Sequence, residues 1–116
     1  MLPPPHRLKQ ASDVILVRRQ GRSWRHPLVI LLIRRNEQET SRFAFVASRA
    51  VGKAVARNRA KRLLREAVRS HLPQIATGWD CLLIARSGLP QASLAEAKSA
   101  VSQLLTRAHL LSQSSF

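Results

Sequence analysis

Lys53, Arg57, Arg59, Lys61, Arg62, Arg65 and Arg69 crowd one short segment, VGKAVARNRAKRLLREAVRS, in which Glu66 is the single acid. The chemistry open to them is the binding of phosphate. A guanidinium fork meets two phosphate oxygens at once, and its flat face stacks on a base. Asn58, between Arg57 and Arg59, adds an amide able to hydrogen-bond a base edge or a sugar hydroxyl. The pairs 53/57, 57/61, 61/65 and 65/69 are all like-charged at i,i+4, and each costs an isolated helix roughly 0.2–0.5 kcal/mol. Lys53 and Arg57 also fall where the helix dipole disfavours cations. A rule broken this often without a folding gain points to a polyanion partner.

Other chemistries find no constellation. Six acids are spread along the chain, and none pair at a spacing that suggests a metal-ion nuclease. His6, His26, His71 and His109 form no close pair with one another or with Cys81, so no zinc site is expected. Cys81 sits in the apolar run DCLLIAR and reads as a small buried hydrophobe; a lone cysteine also excludes an intrachain disulfide.

The totals agree with a polyanion partner. The 116 residues carry 20 Lys and Arg against 6 Asp and Glu, a formal charge of +14. Nucleic acid relieves such self-repulsion. A membrane surface fits less well, because the apolar face beside the cations is rich in alanine. No stretch is long and apolar enough to span a bilayer. The opening MLPPPHRLKQ lacks the apolar core of a signal peptide, so a cytoplasmic protein is expected.

The elements that position the cations follow from periodicity. Residues 7–20 read as a helix stopped by Gly21, and residues 21–27 as a loop. Residues 27–35 form a buried strand. Residues 36–41 are a polar connection of hairpin length, and residues 42–50 a second strand in which Phe43 and Phe45 alternate with Ala44 and Val46. Residues 52–71 are the basic helix. On a wheel of 3.6 residues per turn, Ala56, Ala60, Leu63, Leu64 and Ala67 share a core face. Arg57, Lys61 and Arg65, joined by Asn58, Arg62 and Arg69, fall opposite. Residues 71–80 are a loop and 80–86 a third strand ending in Arg86, within reach of RNA. Ser93 and Glu96 form a capping box for a last helix bearing Leu94, Ala97, Val101, Leu104, Leu105 and Ala108. Trp24 and Trp79 fall in loops and read as caps over the core. The expected fold is a single α+β domain over residues 1–116, in the order α-β-β-α-β-α, with residues 1–6 and 112–116 flexible.

The run from Val51 to Glu66, with its Arg57-Asn58-Arg59 motif and basic continuation, closely resembles the signature of the protein component of bacterial ribonuclease P. Arg7-Leu8 and Asp13 are similar to that family's opening helix, Phe45 to Arg49 to its second strand, and Asp80 to Arg86 to its third. The resemblance spans roughly residues 7 to 110. It implies an α/β sandwich with a left-handed βαβ crossover through the basic helix. It also implies that the catalyst is a large RNA subunit with bound Mg²⁺, which removes the 5′ leader from precursor tRNA. The protein then supplies no catalytic group and no metal site, is inactive alone, and forms no protein oligomer.

By the same resemblance Lys53, Arg57, Asn58, Arg59, Lys61, Arg62, Arg65 and Arg69 meet the RNA subunit. A cleft between the first helix and the sheet takes the single-stranded leader, at Val14, Arg18, Leu31, Ser48 and Arg49. Family members commonly carry aromatics at the positions of Val14 and Arg18, and often near Leu31. They also carry a basic residue where this chain has Ala50. Base stacking, about 1–3 kcal/mol per base, is therefore expected to be weak here. By composition alone, another basic RNA-binding protein, for example a ribosome-associated one, fits equally well. A nuclease acting without RNA would need a carboxylate cluster or histidine base that the chain does not offer.

Overall fold

The computed structural model describes residues 2 and 4–111, for Pro4 the backbone only. Three helices pack on the two faces of a four-stranded sheet. In chain order the elements are α1 (Ala11–Gln20), β1 (Arg22–Arg25), β2 (Val29–Arg35), β3 (Arg42–Val46), α2 (Ala54–His71), β4 (Trp79–Ala85) and α3 (Leu94–Arg107). The sheet order is β1-β2-β4-β3, with β3 parallel to β4 and the other neighbours antiparallel. The mixed α+β class is as expected. β3 and β4 are adjacent, and α2 is the crossover between them.

Beyond shifts of one or two residues at element ends, the structure differs from the sequence reading in several places. The expected loop at residues 21–27 contains a strand, β1, so the order is α-β-β-β-α-β-α. The connection over residues 36–41 is not a hairpin, because β4 lies between β2 and β3. β4 is apolar on both faces and is covered from both sides, which favours an interior place. The first helix starts at Ala11 rather than residue 7. Arg7 and Leu8 run beside β3, where the Leu8 amide donates to the Phe43 carbonyl at 2.8 Å. β3 ends at Val46, and a 3-10 turn, Arg49–Val51, leads toward α2. Of the two ends expected to be flexible, residues 112–116 lie outside the described residues. At the other, Leu2 is buried and His6 Nδ1 lies 2.8 Å from the Ser41 carbonyl, so Leu2 and His6 are packed against the fold.

Alternation along the strands divides the core. Val29, Leu31, Ile33, Phe43, Cys81, Leu83 and Ala85 face α2 and α3, where Leu64, Val68, Val101, Leu104 and Leu105 meet them. Each such large side chain withdrawn from water contributes about 1.5–3 kcal/mol. The other face holds Leu82 with Val17 and Leu8, flanked by Val14, Leu32, Ala44, Val46 and Ile84. The Ser93–Glu96 capping box forms at α3, with Glu96 N to Ser93 Oγ at 3.1 Å and Ser93 N to Glu96 Oε1 at 2.9 Å.

One row of the sheet fixes α1. Arg34, Asp80 and Arg42 lie side by side on β2, β4 and β3. Arg42 donates to both carboxylate oxygens of the buried Asp80, at 2.9 and 2.7 Å, and Asn36 donates to Asp80 Oδ1 at 2.9 Å. The start of α1 reaches this row through Asp13, 3.5 Å from Arg42. Its end reaches the same row through Gln20, which accepts from Arg34 Nε at 3.0 Å. α1 thus crosses one end of the sheet. The row Ile30–Ile84–Val46, toward the other end, is left half-buried.

Candidate nucleic-acid interface

The basic helix begins at a backbone turn that requires glycine. Gly52 has φ 140°, and a Cβ there would stand 2.9 Å from the Ala56 Cβ. Lys53 occupies the cap position without a side-chain cap bond, and the first turn holds no acid. Ala60, Leu63, Leu64, Ala67 and Val68 are buried against the sheet and α3. Asn58, Arg62 and Arg69 are exposed on the outer side, and Lys53 is exposed at the start. Val55, 81 % exposed, stands among them. With Asn58, Arg62 and Arg65 it lines a recess of about 380 Å³. An apolar residue ringed by an amide and two guanidiniums suits a sugar or base held beside its phosphates.

The other cations are not equivalent. Arg57, Lys61 and Arg65 sit at the flank facing β3 and are half-buried, where the sequence reading set them opposite the core. Lys61 and Arg65, with Arg7, line a second recess of about 390 Å³ beside Phe43 and Phe45. Arg57 Nε is buried and has no partner among the described residues. Arg59 lies on the opposite flank, where its Nε donates to the Pro90 carbonyl at 2.7 Å and its Nη2 to the Ala92 carbonyl at 3.3 Å. Two of its guanidinium nitrogens are therefore engaged by the turn that leads into α3, although the residue as a whole is exposed. Glu66 pairs with Arg69 at 3.5 Å in an exposed contact that contributes little.

The expected cleft residues divide. Val14 is half-buried on the sheet side of α1, Arg18 is exposed on its last turn, and Ser48 and Arg49 are exposed where the chain leaves β3. Leu31 is not in the cleft. It is fully buried on the opposite face, under α2 and α3. The run VILLI is apolar at every position, so the sequence shows no alternation to say which residues face which way. The residues that floor the α1 side are Ile30, Leu32, Ile84, Ala44 and Val46. Sequence reasoning also missed Val55 and Arg7. An exposed valine inside a basic helix was the signal for the first; the pairing of Arg7 with Phe43 across the fold leaves none for the second.

Among the described residues no three His, Cys, Asp or Glu side chains converge as a metal site, and no helix is long and apolar enough to cross a membrane. Burial, and then the neighbouring Asp80 charge, push the Cys81 thiol well above its ordinary range, so it is a packed side chain and not a nucleophile.

Residues 2–109 match the family model of ribonuclease P. The ribonuclease P protein component of Herpetosiphon aurantiacus is 40 % identical over 104 residues, covering 90 % of this chain and 85 % of that one. The solved RNase P protein from Thermotoga maritima superposes with a TM-score of 0.79 at 30 % identity, over 87 % of this chain and 96 % of that one. The RNase P protein of Staphylococcus aureus, at 24 % identity and a TM-score of 0.83, shares the fold over 92 % of this chain and 98 % of that one. With the basic helix, the crossover and the half-covered sheet face already in place, these matches show that the chain belongs to the ribonuclease P protein family.

Proposed function

We propose that this protein is the RNA-binding subunit of a ribonuclease P holoenzyme and assists removal of the 5′ leader from precursor tRNA. The observation that carries it is the outer side of α2, where Asn58, Arg62 and Arg65 surround the exposed Val55. This side neutralises phosphates of the catalytic RNA. Less Mg²⁺ is then needed to hold the RNA fold, and the Mg²⁺ of the reaction is bound by RNA. Lys53, Arg57, Lys61 and Arg69 extend the contact along the helix, while Arg59 supports it through the 89–92 turn.

The leader lies along the half-covered sheet face, over Ile30, Ile84 and Val46, between Val14 and Arg18 on one side and Ser48 and Arg49 on the other. Without aromatics on α1, the grip rests on apolar contact and on Arg18 and Arg49. Protein without RNA does no chemistry. Competition binding tests the reading: the ribonuclease P RNA should displace ribosomal RNA from the protein at moderate salt. Equal affinity for both would favour a general, ribosome-associated RNA binder.

A further inference from the structure

The basic helix does not account for all the charge. A second cluster stands on the same face of the sheet as α2 but toward β1 and β2, and it is built on the two tryptophans. The Arg22 guanidinium lies over the Trp24 ring, 5.3 Å from its centroid, and the Arg35 guanidinium over the Trp79 ring at 5.4 Å. The register places both stacks on one face. Arg22 pairs with Ile33, and Arg35, two residues further along β2, pairs with Trp79. The two rows are about 7 Å apart along the strands. Both arginines are exposed and both indoles half-buried against the core. Arg107, from the last turn of α3, donates to the Arg25 carbonyl at 2.8 Å, three residues along β1 from Arg22.

Neither Arg22 nor Arg35 has a carboxylate within ion-pair distance among the described residues, although Glu37 and Glu39 follow closely in the chain. Cations on an edge strand commonly guard against edge-to-edge pairing. That accounts for Arg22 and Arg25 on β1 but not for Arg35, which is on the interior strand β2. Nor does it account for a tryptophan beneath each guanidinium. A guanidinium held over an indole by cation–π attraction is positioned by the ring, and its exposed N–H groups remain available to a base or a phosphate.

We propose that Arg22–Trp24 and Arg35–Trp79 form a second RNA site, which holds a single-stranded segment separate from the RNA bound by α2. The separation is topological. α2 packs over β3 and β4 and α3 over β1 and β2; Arg22, Trp24 and Arg35 stand on the strands that α3 covers, and Trp79 meets Arg35 from the start of β4. The site rests on the reading that RNA is the partner, and it extends the holoenzyme's grip to RNA on the α3 side.

Trp24 and Trp79 are the only tryptophans in the chain, and it has no tyrosine, so intrinsic fluorescence reports on this site directly. A short oligouridylate should quench it. The Arg22→Gln, Arg35→Gln double variant keeps aliphatic cover on each ring and removes both charges. It should lose the quenching, and the log–log salt slope should fall by about 1.4, two phosphate contacts at about 0.7 each. An Arg62→Gln, Arg65→Gln variant in α2 should keep the quenching while losing affinity for the ribonuclease P RNA. Quenching that persists when the wild type does not bind that RNA would refute the holoenzyme reading and leave the second site standing. Absent quenching in the wild type, an unchanged slope in the Arg22/Arg35 variant, or quenching by oligoglutamate in place of oligouridylate would overturn the site.

Discussion

Arg59 and Pro90 are joined by a hydrogen bond of 2.7 Å from the guanidinium Nε to the carbonyl oxygen, across 31 positions of sequence. The second arginine of the Arg-Asn-Arg motif therefore ties α2 to the turn before α3. Pro90 and Ala92 are buried, so their carbonyls have little access to other donors. Arg59→Ala should destabilise the fold by about 1–2 kcal/mol, read as a lower urea midpoint at constant slope. Its effect on the salt dependence of RNA binding should be smaller than that of Arg62→Ala.

Arg62 and Arg65 carry the opposite expectation. Replacing both with alanine should leave stability nearly unchanged and lower the log–log slope of RNA-subunit binding by about 1.4–1.8, at 0.7–0.9 per phosphate. Titrations across a salt series check this. A slope equal to the wild type would show that neither guanidinium touches phosphate.

Leu31 and Ile30 are neighbours in sequence on opposite faces of the sheet. Leu31→Ala should cost about 2–5 kcal/mol of stability, as for a buried leucine in a tight core. Ile30→Ala, at the half-buried cleft floor, should cost less stability. It should selectively weaken binding of leader-bearing precursor relative to mature tRNA. Parallel denaturation and binding measurements separate the two.

Much of this was legible in the sequence. Strong helical periodicity marked α2 and α3, and the serine–glutamate pair marked the start of α3, because these signals are local. The sequence did not reveal the strand at Arg22–Arg25, since four residues of Arg-Ser-Trp-Arg carry almost no apolar pattern. Nor could it orient Val29–Ile33, a run that is apolar throughout. The place of Arg59 was hidden for a different reason: its partners lie on a turn that only the packing of α2 on α3 brings near. A basic residue in a basic motif looks like every other until its tertiary partner is known.

Cys81 gives a pH prediction. Its thiol is held protonated in the fold, while in the unfolded chain it ionises near its ordinary value of 9.0. Above that pH the unfolded state binds fewer protons than the native state. Stability is therefore complete below about pH 9 and declines as pH rises, by up to about 1.4 kcal/mol per pH unit from this group. Cys81→Ala should remove that component of the slope. Denaturant midpoints of both proteins between about pH 8 and 10.5, compared as differences, isolate it from other titrations.

The central claim is that the protein acts through a catalytic RNA. The most direct measurement is cleavage of a precursor tRNA at low Mg²⁺ by the RNA subunit alone, by the protein alone and by the two together. Leader release only in the mixture, reduced by Arg62→Ala with Arg65→Ala, is the predicted result. Cleavage by the protein alone, or no gain on adding it to the RNA, would contradict the account.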